Sequence, residues 1–244
     1  MKVEIWSDYA CPFCYIGKRK FQEALESFEH KDEVEVVYRS FELDPGAEYT
    51  PGTSIHELLS RKYGMSVEQA VANNNNLGRQ AGEMGLNFNF DVMKTGNTFD
   101  SHRLMAWAVE QGKGDELAER LFKAYFTDGL LLQDRQVLVA LAGEVGLSAE
   151  EAGQVLASDR YSELVRAEEQ VGSELGIRGV PFYVMDRKLG VSGAQSPAAF
   201  LQVLQQAWAE KQAGAEAPAA AESGENTAAG DNCADGSCEV PARE

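Results

Sequence analysis

The sequence predicts an α/β fold in which an all-helical domain is inserted between the second and third strands. Three observations lead there. Short β-prone segments gather near the two ends of the folded part of the chain, within residues 1–43 and 179–193. Between about Ser54 and Gly176, apolar residues recur at helical spacing. Residues suited to cap helices are distributed through that same stretch.

Val3 to Trp6 reads as a short first strand, and Pro12 opens a helix whose Phe21, Leu25 and Phe28 recur at i, i+4 and i+7. Lys31-Asp32 supplies a turn, and Val34 to Leu43 forms a second strand ended by Asp44-Pro45-Gly46. Strand, helix and strand at this length suit a right-handed βαβ unit with parallel strands. In the helical block, Ser54, Ser66, Thr98, Asp134 and Ser148 stand where N-caps are expected. Leu104, Trp107 and Ala108, then Leu117, Leu121 and Tyr125, supply apolar helix faces. Leu86 to Phe90 alternates but is short, and reads as an extended loop over the core.

Gly179 to Met185 forms the third strand, and a Gly-rich return from Lys188 to Gly193 its hairpin partner. Ser196-Pro197 is a cap followed by proline at the first helical position, and that helix runs to about Lys211. Beyond it, Ala, Gly, Glu, Ser and Pro dominate, and seven acidic residues face Arg243 alone. The expected organisation is therefore residues 1–50 and 177–211 as one discontinuous α/β domain, 51–176 as the inserted helical domain, and 212–244 as a disordered acidic tail.

Composition narrows the function classes. The chain of 244 residues is 44% hydrophobic and carries a formal net charge of −17. That is enough apolar content for a substantial core, and the charge opposes nucleic-acid binding, which needs clustered Lys and Arg. No apolar run is long enough to span a membrane. Met1-Lys2 leads straight into Val3-Glu4-Ile5-Trp6 without an apolar signal region, so a cytoplasmic protein is expected. The four cysteines fall into two pairs, Cys11/Cys14 and Cys233/Cys238. In a reducing compartment such pairs point to redox chemistry or metal more than to structural disulfides.

Cys11-Pro12-Phe13-Cys14 follows a predicted strand and opens a predicted helix. CxxC spacing there puts two sulfurs one turn apart, and the helix N-terminus favours a thiolate at the first. Cys11 is the expected nucleophile, and Cys14, deeper and less accessible, the resolving thiol. Pro12 contributes its fixed φ without losing a needed hydrogen bond. Zinc knuckles share the spacing but seldom follow a strand and open a helix.

The segment Ser7-Asp8-Tyr9-Ala10-Cys11-Pro12-Phe13-Cys14-Tyr15-Ile16-Gly17, together with Gly179-Val180-Pro181-Phe182-Tyr183-Val184, resembles the DsbA family, specifically its FrnE-like cytoplasmic branch, over about residues 1–210. The resemblance implies a thioredoxin fold with an inserted helical domain, and disulfide exchange as the activity. It also implies a cis Val180–Pro181 peptide beside the cysteines, with Val180 offering its backbone to substrate. Family members often carry Trp or His between the cysteines. Phe13 brings no charge to a thiolate, which implies weaker oxidising power. Glutathione-dependent 2-hydroxychromene-2-carboxylate isomerases and kappa-class glutathione transferases share the layout but typically have Ser where Cys11 stands; they form the runner-up reading.

Cys233-Ala234-Asp235-Gly236-Ser237-Cys238 lies in the tail and closes too small a loop to staple any element. A flexible linker from Gln212 to Cys233 averages roughly 25 Å, against an expected core radius of gyration of roughly 17 Å. The pair is thus a candidate accessory dithiol able to reach Cys11, with metal capture or an unused appendage as alternatives. Asp8 is a candidate proton carrier near the thiols or a turn residue, and His102 a polar group near the cysteines or a solvent-facing one. His30 and His56 read as surface residues, and Asn73 to Asn76 as a solvated helix face or a break. The expected partners are protein or small-molecule thiols and disulfides, with glutathione or thioredoxin as electron partner. No bound cofactor, metal, nucleic acid or membrane is expected. The rival from another class is a non-catalytic peptide- or metal-binding module.

Overall fold

The computed structural model describes residues 1–216. Its elements run β1 (Lys2–Ser7), α1 (Pro12–Glu26), a single 3-10 turn (Lys31–Glu33) and β2 (Glu35–Ser40). Then come α2 (Ile55–Tyr63), α3 (Val67–Gly82), α4 (Phe99–Glu110), α5 (Gly114–Phe126), α6 (Arg135–Glu144), α7 (Ala149–Ala157) and α8 (Ser162–Glu174). The hairpin β3 (Phe182–Met185) and β4 (Leu189–Ser192) and the helix α9 (Pro197–Glu216) complete the fold. This is a thioredoxin-type α/β fold with an all-helical insertion between its second and third strands.

The sheet order is β2-β1-β3-β4, with β1 parallel to β2 and antiparallel to β3. Because side chains alternate along a strand, β1 serves two cores. Val3 and Ile5 point to α1 and α9, where Phe21, Tyr183, Met185, Phe200 and Leu204 close the layer. Trp6 points to the other face and packs with Ile177 and Val184, and its indole N–H donates to the Glu168 carbonyl of α8 at 2.9 Å. Gly172 on α8 makes that approach possible, since a Cβ there would stand 2.8 Å from the Trp6 Nε1. Glu4, also on the α8 face, is buried and ion-paired with Arg39 and Arg187.

The helices begin where their caps are written. Ser54 with Glu57, and Ser66 with Gln69, form complete capping boxes. Asp134 and Ser148 each accept a first-turn N–H. Thr98 stands at the N-cap of α4 without a side-chain cap bond. Leu86 to Phe90 is a loop in which Phe88 stacks on Phe126 at 4.6 Å.

Several boundaries differ from expectation. β3 begins at Phe182 rather than Gly179, because its pairing with β1 starts there, opposite Trp6. β2 stops at Ser40 rather than Leu43, because β1 ends opposite it at Ser7 and the Glu42 and Leu43 amides turn to the side chains of Glu169 and Asp8. α1 ends at Glu26, so Phe28 joins the core from the following turn. α9 continues past Lys211 to Glu216. One surface assignment is also corrected. His56 is buried, its Nδ1 2.9 Å from the Asn74 amide, because α2 packs on α3 and turns both side chains inward. His30 is half-buried, stacked on Trp208 at 4.3 Å. Cys233 and Cys238 lie outside the described residues. Among the described residues no helix is long and apolar enough to cross a membrane.

Candidate active site

Cys11 is the N-cap of α1, with extended backbone (φ −93°, ψ 113°), and Pro12 occupies the first turn, where a missing N–H costs nothing. The Cys11 carbonyl accepts from the amides of Cys14 at 3.1 Å and Tyr15 at 3.4 Å, starting the helix. Its own amide donates to the Asp8 carbonyl at 3.0 Å, so the loop from β1 is tied to the helix start. The positive end of the α1 dipole thus lies at the cysteine pair.

The Val180–Pro181 peptide is cis, and the Cys11 Sγ lies 3.5 Å from the Val180 carbonyl oxygen. Elements far apart in sequence meet here because α1 packs on β3 without a side chain between them at Gly17. An added Cβ would stand 2.6 Å from the Tyr183 hydroxyl and 3.1 Å from Pro181 Cγ.

Both cysteines are free thiols, and both are sheltered. Cys11 is 4% exposed and Cys14 2%. The expected contrast in accessibility between them is thus small in this conformation, since the Val180–Pro181 segment covers Cys11. Burial pushes the Cys14 thiol well above its ordinary range, and the neighbouring Cys11 adds to the effect. The Ser7 hydroxyl and the Asp8 backbone work in the opposite direction. Pro12 is half-buried, whereas Phe13 is half-exposed and forms an apolar lip beside Cys11.

Asp8 and His102 meet behind this centre. Asp8 is 1% exposed; its carboxylate accepts from the Leu43 amide at 2.7 Å and the Ala10 amide at 3.3 Å. His102, 2% exposed on α4, places Nε2 3.7 Å from the Asp8 Oδ1 and packs its ring on Tyr9. The solvent-facing alternative for His102 is thereby excluded. Sequence reading singled out neither Ser7 nor Tyr9 beside the thiols, nor the approach at Gly17. All three stand within the eleven-residue segment around the CxxC, but nothing in their residue types marks them. Among the described residues, no three of His, Cys, Asp and Glu stand close enough together to hold a metal ion.

Comparisons with known proteins bear on the family and the fold. Residues 2–205 match the model of the DSBA-like thioredoxin domain. The crystal structure of a probable DsbA oxidoreductase, SCO1869 from Streptomyces coelicolor, is 43% identical, with 99% of this chain and 100% of that chain covered at a TM-score of 0.81. The uncharacterized protein YwbO of Bacillus subtilis (strain 168) is 27% identical over 86% of this chain and 98% of its own length. Two more distant structures share the fold. The cytosolic disulfide reductase DsbM from Pseudomonas aeruginosa, also solved with GSH, is 16% identical, with 86% of this chain and 100% of its own covered at a TM-score of 0.57. A 2-hydroxychromene-2-carboxylate isomerase is 13% identical, with coverages of 89% and 100% and a TM-score of 0.60. From the breadth of the family match and the 43% identity over nearly the whole chain, the chain belongs to the DSBA-like thioredoxin domain family.

Proposed function

We propose that this chain is a thiol–disulfide oxidoreductase that exchanges disulfides with protein or small-thiol substrates through Cys11 and Cys14. The observation carrying this reading is the Cys11 sulfur at the start of α1, 3.5 Å from the backbone of Val180 and one turn before a second free thiol. The Cys11 thiolate attacks a substrate disulfide, forming a mixed disulfide and releasing one substrate thiolate. Cys14 then gives up its proton and attacks the Cys11 sulfur. The second substrate thiolate leaves, and the Cys11–Cys14 pair is oxidised by the two electrons the substrate gains. The reverse sequence oxidises a substrate dithiol.

Burial suits Cys14 to the second step: its raised pKa keeps it protonated until the mixed disulfide lies beside it. Val180, with Pro181, presents the backbone against which an extended substrate lies, and Phe13 the apolar surface next to it. An isomerase or transferase cycle of the glutathione-dependent kind uses one activating hydroxyl, and here two thiols stand together instead. Glutathione or thioredoxin is the proposed electron partner, and the FrnE-like cytoplasmic branch the proposed placement. For Cys233 and Cys238 we propose an accessory dithiol role.

The test is turnover of insulin disulfides by the full chain. Cys11→Ser should abolish it, and Cys14→Ser should accumulate mixed disulfides. Undiminished turnover in Cys11→Ser would refute the reading, and no turnover by the unaltered chain would leave a binding module.

A further inference from the structure

The Asp8–His102 contact is a buried polar arrangement that the exchange chemistry above leaves unused. Taking a carboxylate out of water is costly unless hydrogen bonds or an opposite charge compensate it. Asp8 has two backbone amides, one of them at the long distance of 3.3 Å, and His102 is its one ion-pair partner among the described residues. His102 for its part buries Nε2 without any hydrogen-bond partner among the described residues. An imidazole nitrogen enclosed in this way, and aimed at a carboxylate oxygen 3.7 Å away, is placed to share a proton with it.

What Asp8 holds explains why that proton matters. Its carboxylate clamps Ala10, immediately before Cys11, and Leu43, just beyond the end of β2. Its backbone carbonyl takes the Cys11 amide, and its backbone lies against the Cys14 sulfur. One residue therefore positions both cysteines, and it does so best when its carboxylate is ionised and can accept at both oxygens.

His102 also lines a cavity of about 130 Å3 between β2, α4 and α8, with room for several waters. Arg39 from β2, Glu110 from α4 and Glu168 from α8 line the same cavity. Arg39 is committed to Glu4 and Glu168, which leaves the imidazole as the basic side chain that faces Asp8. The other titratable neighbours are Tyr9, Tyr125 and Cys14. Burial pushes the Tyr125 phenol up to about 12 and raises the Tyr9 phenol well above its ordinary range, so neither competes for the proton near neutral pH.

We propose that His102 is a positioning residue of the thiol centre, acting through Asp8: it shares a proton with the Asp8 carboxylate that its Nε2 faces, and so sets how firmly that carboxylate clamps Ala10 and Leu43. The inference rests on the oxidoreductase reading and adds a proton-linked control to it.

The test uses the full chain. The kcat/KM for insulin disulfide reduction is measured from pH 5 to 8 in the wild type and in His102→Gln, which retains polarity but cannot titrate. The wild-type profile should contain an ionisation in the histidine range that the variant lacks, with the variant slower by on the order of tenfold at neutral pH, the loss falling on kcat. An active variant with the wild-type profile, merely scaled, would overturn the inference while leaving the oxidoreductase reading intact. A wild type without exchange activity would instead overturn that reading itself.

Should the variant not fold, histidine 15N spectra of the unaltered protein decide the matter, since the chain has 3 histidines. Coupling is reciprocal, so the titration of His102 should move between the dithiol and disulfide forms while that of His30 stays fixed. Identical His102 titrations in the two forms would overturn the inference.

Discussion

Gly17→Ala is the most informative single methyl that can be added to this protein. The added Cβ would meet the Tyr183 hydroxyl at 2.6 Å and Pro181 Cγ at 3.1 Å. Restoring an ordinary contact of 3.4 Å requires the hydroxyl to retreat by roughly 0.8 Å. Tyr183 cannot swing away, because its ring is buried between Phe21 at 5.2 Å and Phe200 at 4.6 Å. Overpacking of this kind costs about 1–3 kcal/mol, while replacing a mid-helix glycine by alanine returns about 1 kcal/mol. The net is a destabilisation of up to about 2 kcal/mol, and for a chain of this size a fall in Tm of up to about 8 °C. Thermal unfolding by circular dichroism measures it. Since the strain falls on the segment facing Cys11, the exchange rate should drop as well. A Tm that rises by a few degrees, as helix propensity alone would give, would refute the close packing of α1 on Pro181.

Three further outcomes are expected. Burial opposes the charge on Glu4, but hydrogen bonds from Arg187 and Arg39 outweigh it and hold the carboxyl below its ordinary value. A depressed carboxylate stabilises the fold above the unfolded pKa and loses that contribution as pH falls through the folded one. Wild-type Tm should therefore decline as the pH drops below about 4.5, and Glu4→Gln, lower at neutral pH, should decline less over the same window; parallel curves would contradict the pairing. Between the thiols, iodoacetamide followed by peptide mapping should label Cys11 before Cys14, whose thiol burial keeps protonated; labelling in the reverse order would invert their assigned roles. Ending the chain at Glu216 should leave Tm and Cys11 labelling unchanged while slowing turnover, and unchanged turnover would remove Cys233 and Cys238 from the mechanism.

Local signals made most of the fold legible in the sequence. Ser54 and Ser66 specify helix starts through bonds to residues three positions on, and Pro12 and Pro197 do so by their own geometry. Cys11 and Cys14 were legible because the CxxC sits at a strand-to-helix junction, and Val180–Pro181 because of its resemblance to a known segment. What escaped depends on partners distant in sequence. The burial of His56 is decided by Asn74 on the next helix. The end of β2 depends on Asp8 and Glu169 taking the amides of Leu43 and Glu42. Nor did anything in the sequence single out Lys18, which is 3% exposed, with Asp115 of α5 at 2.8 Å and Glu119 at 3.7 Å. Asp8 and His102 could be nominated from sequence, but only the packing of α4 behind the CxxC brings them together.

The central claim is that Cys11 attacks and Cys14 resolves, and trapping tests it most directly. The full-length Cys14→Ala variant, incubated with a disulfide-bonded peptide, should accumulate a peptide adduct that mass spectrometry places on Cys11, because the thiol that would release it is gone. The Cys11→Ala variant should accumulate none over the same time. An adduct on Cys14 forming as fast in Cys11→Ala as the Cys11 adduct forms in Cys14→Ala would contradict the account.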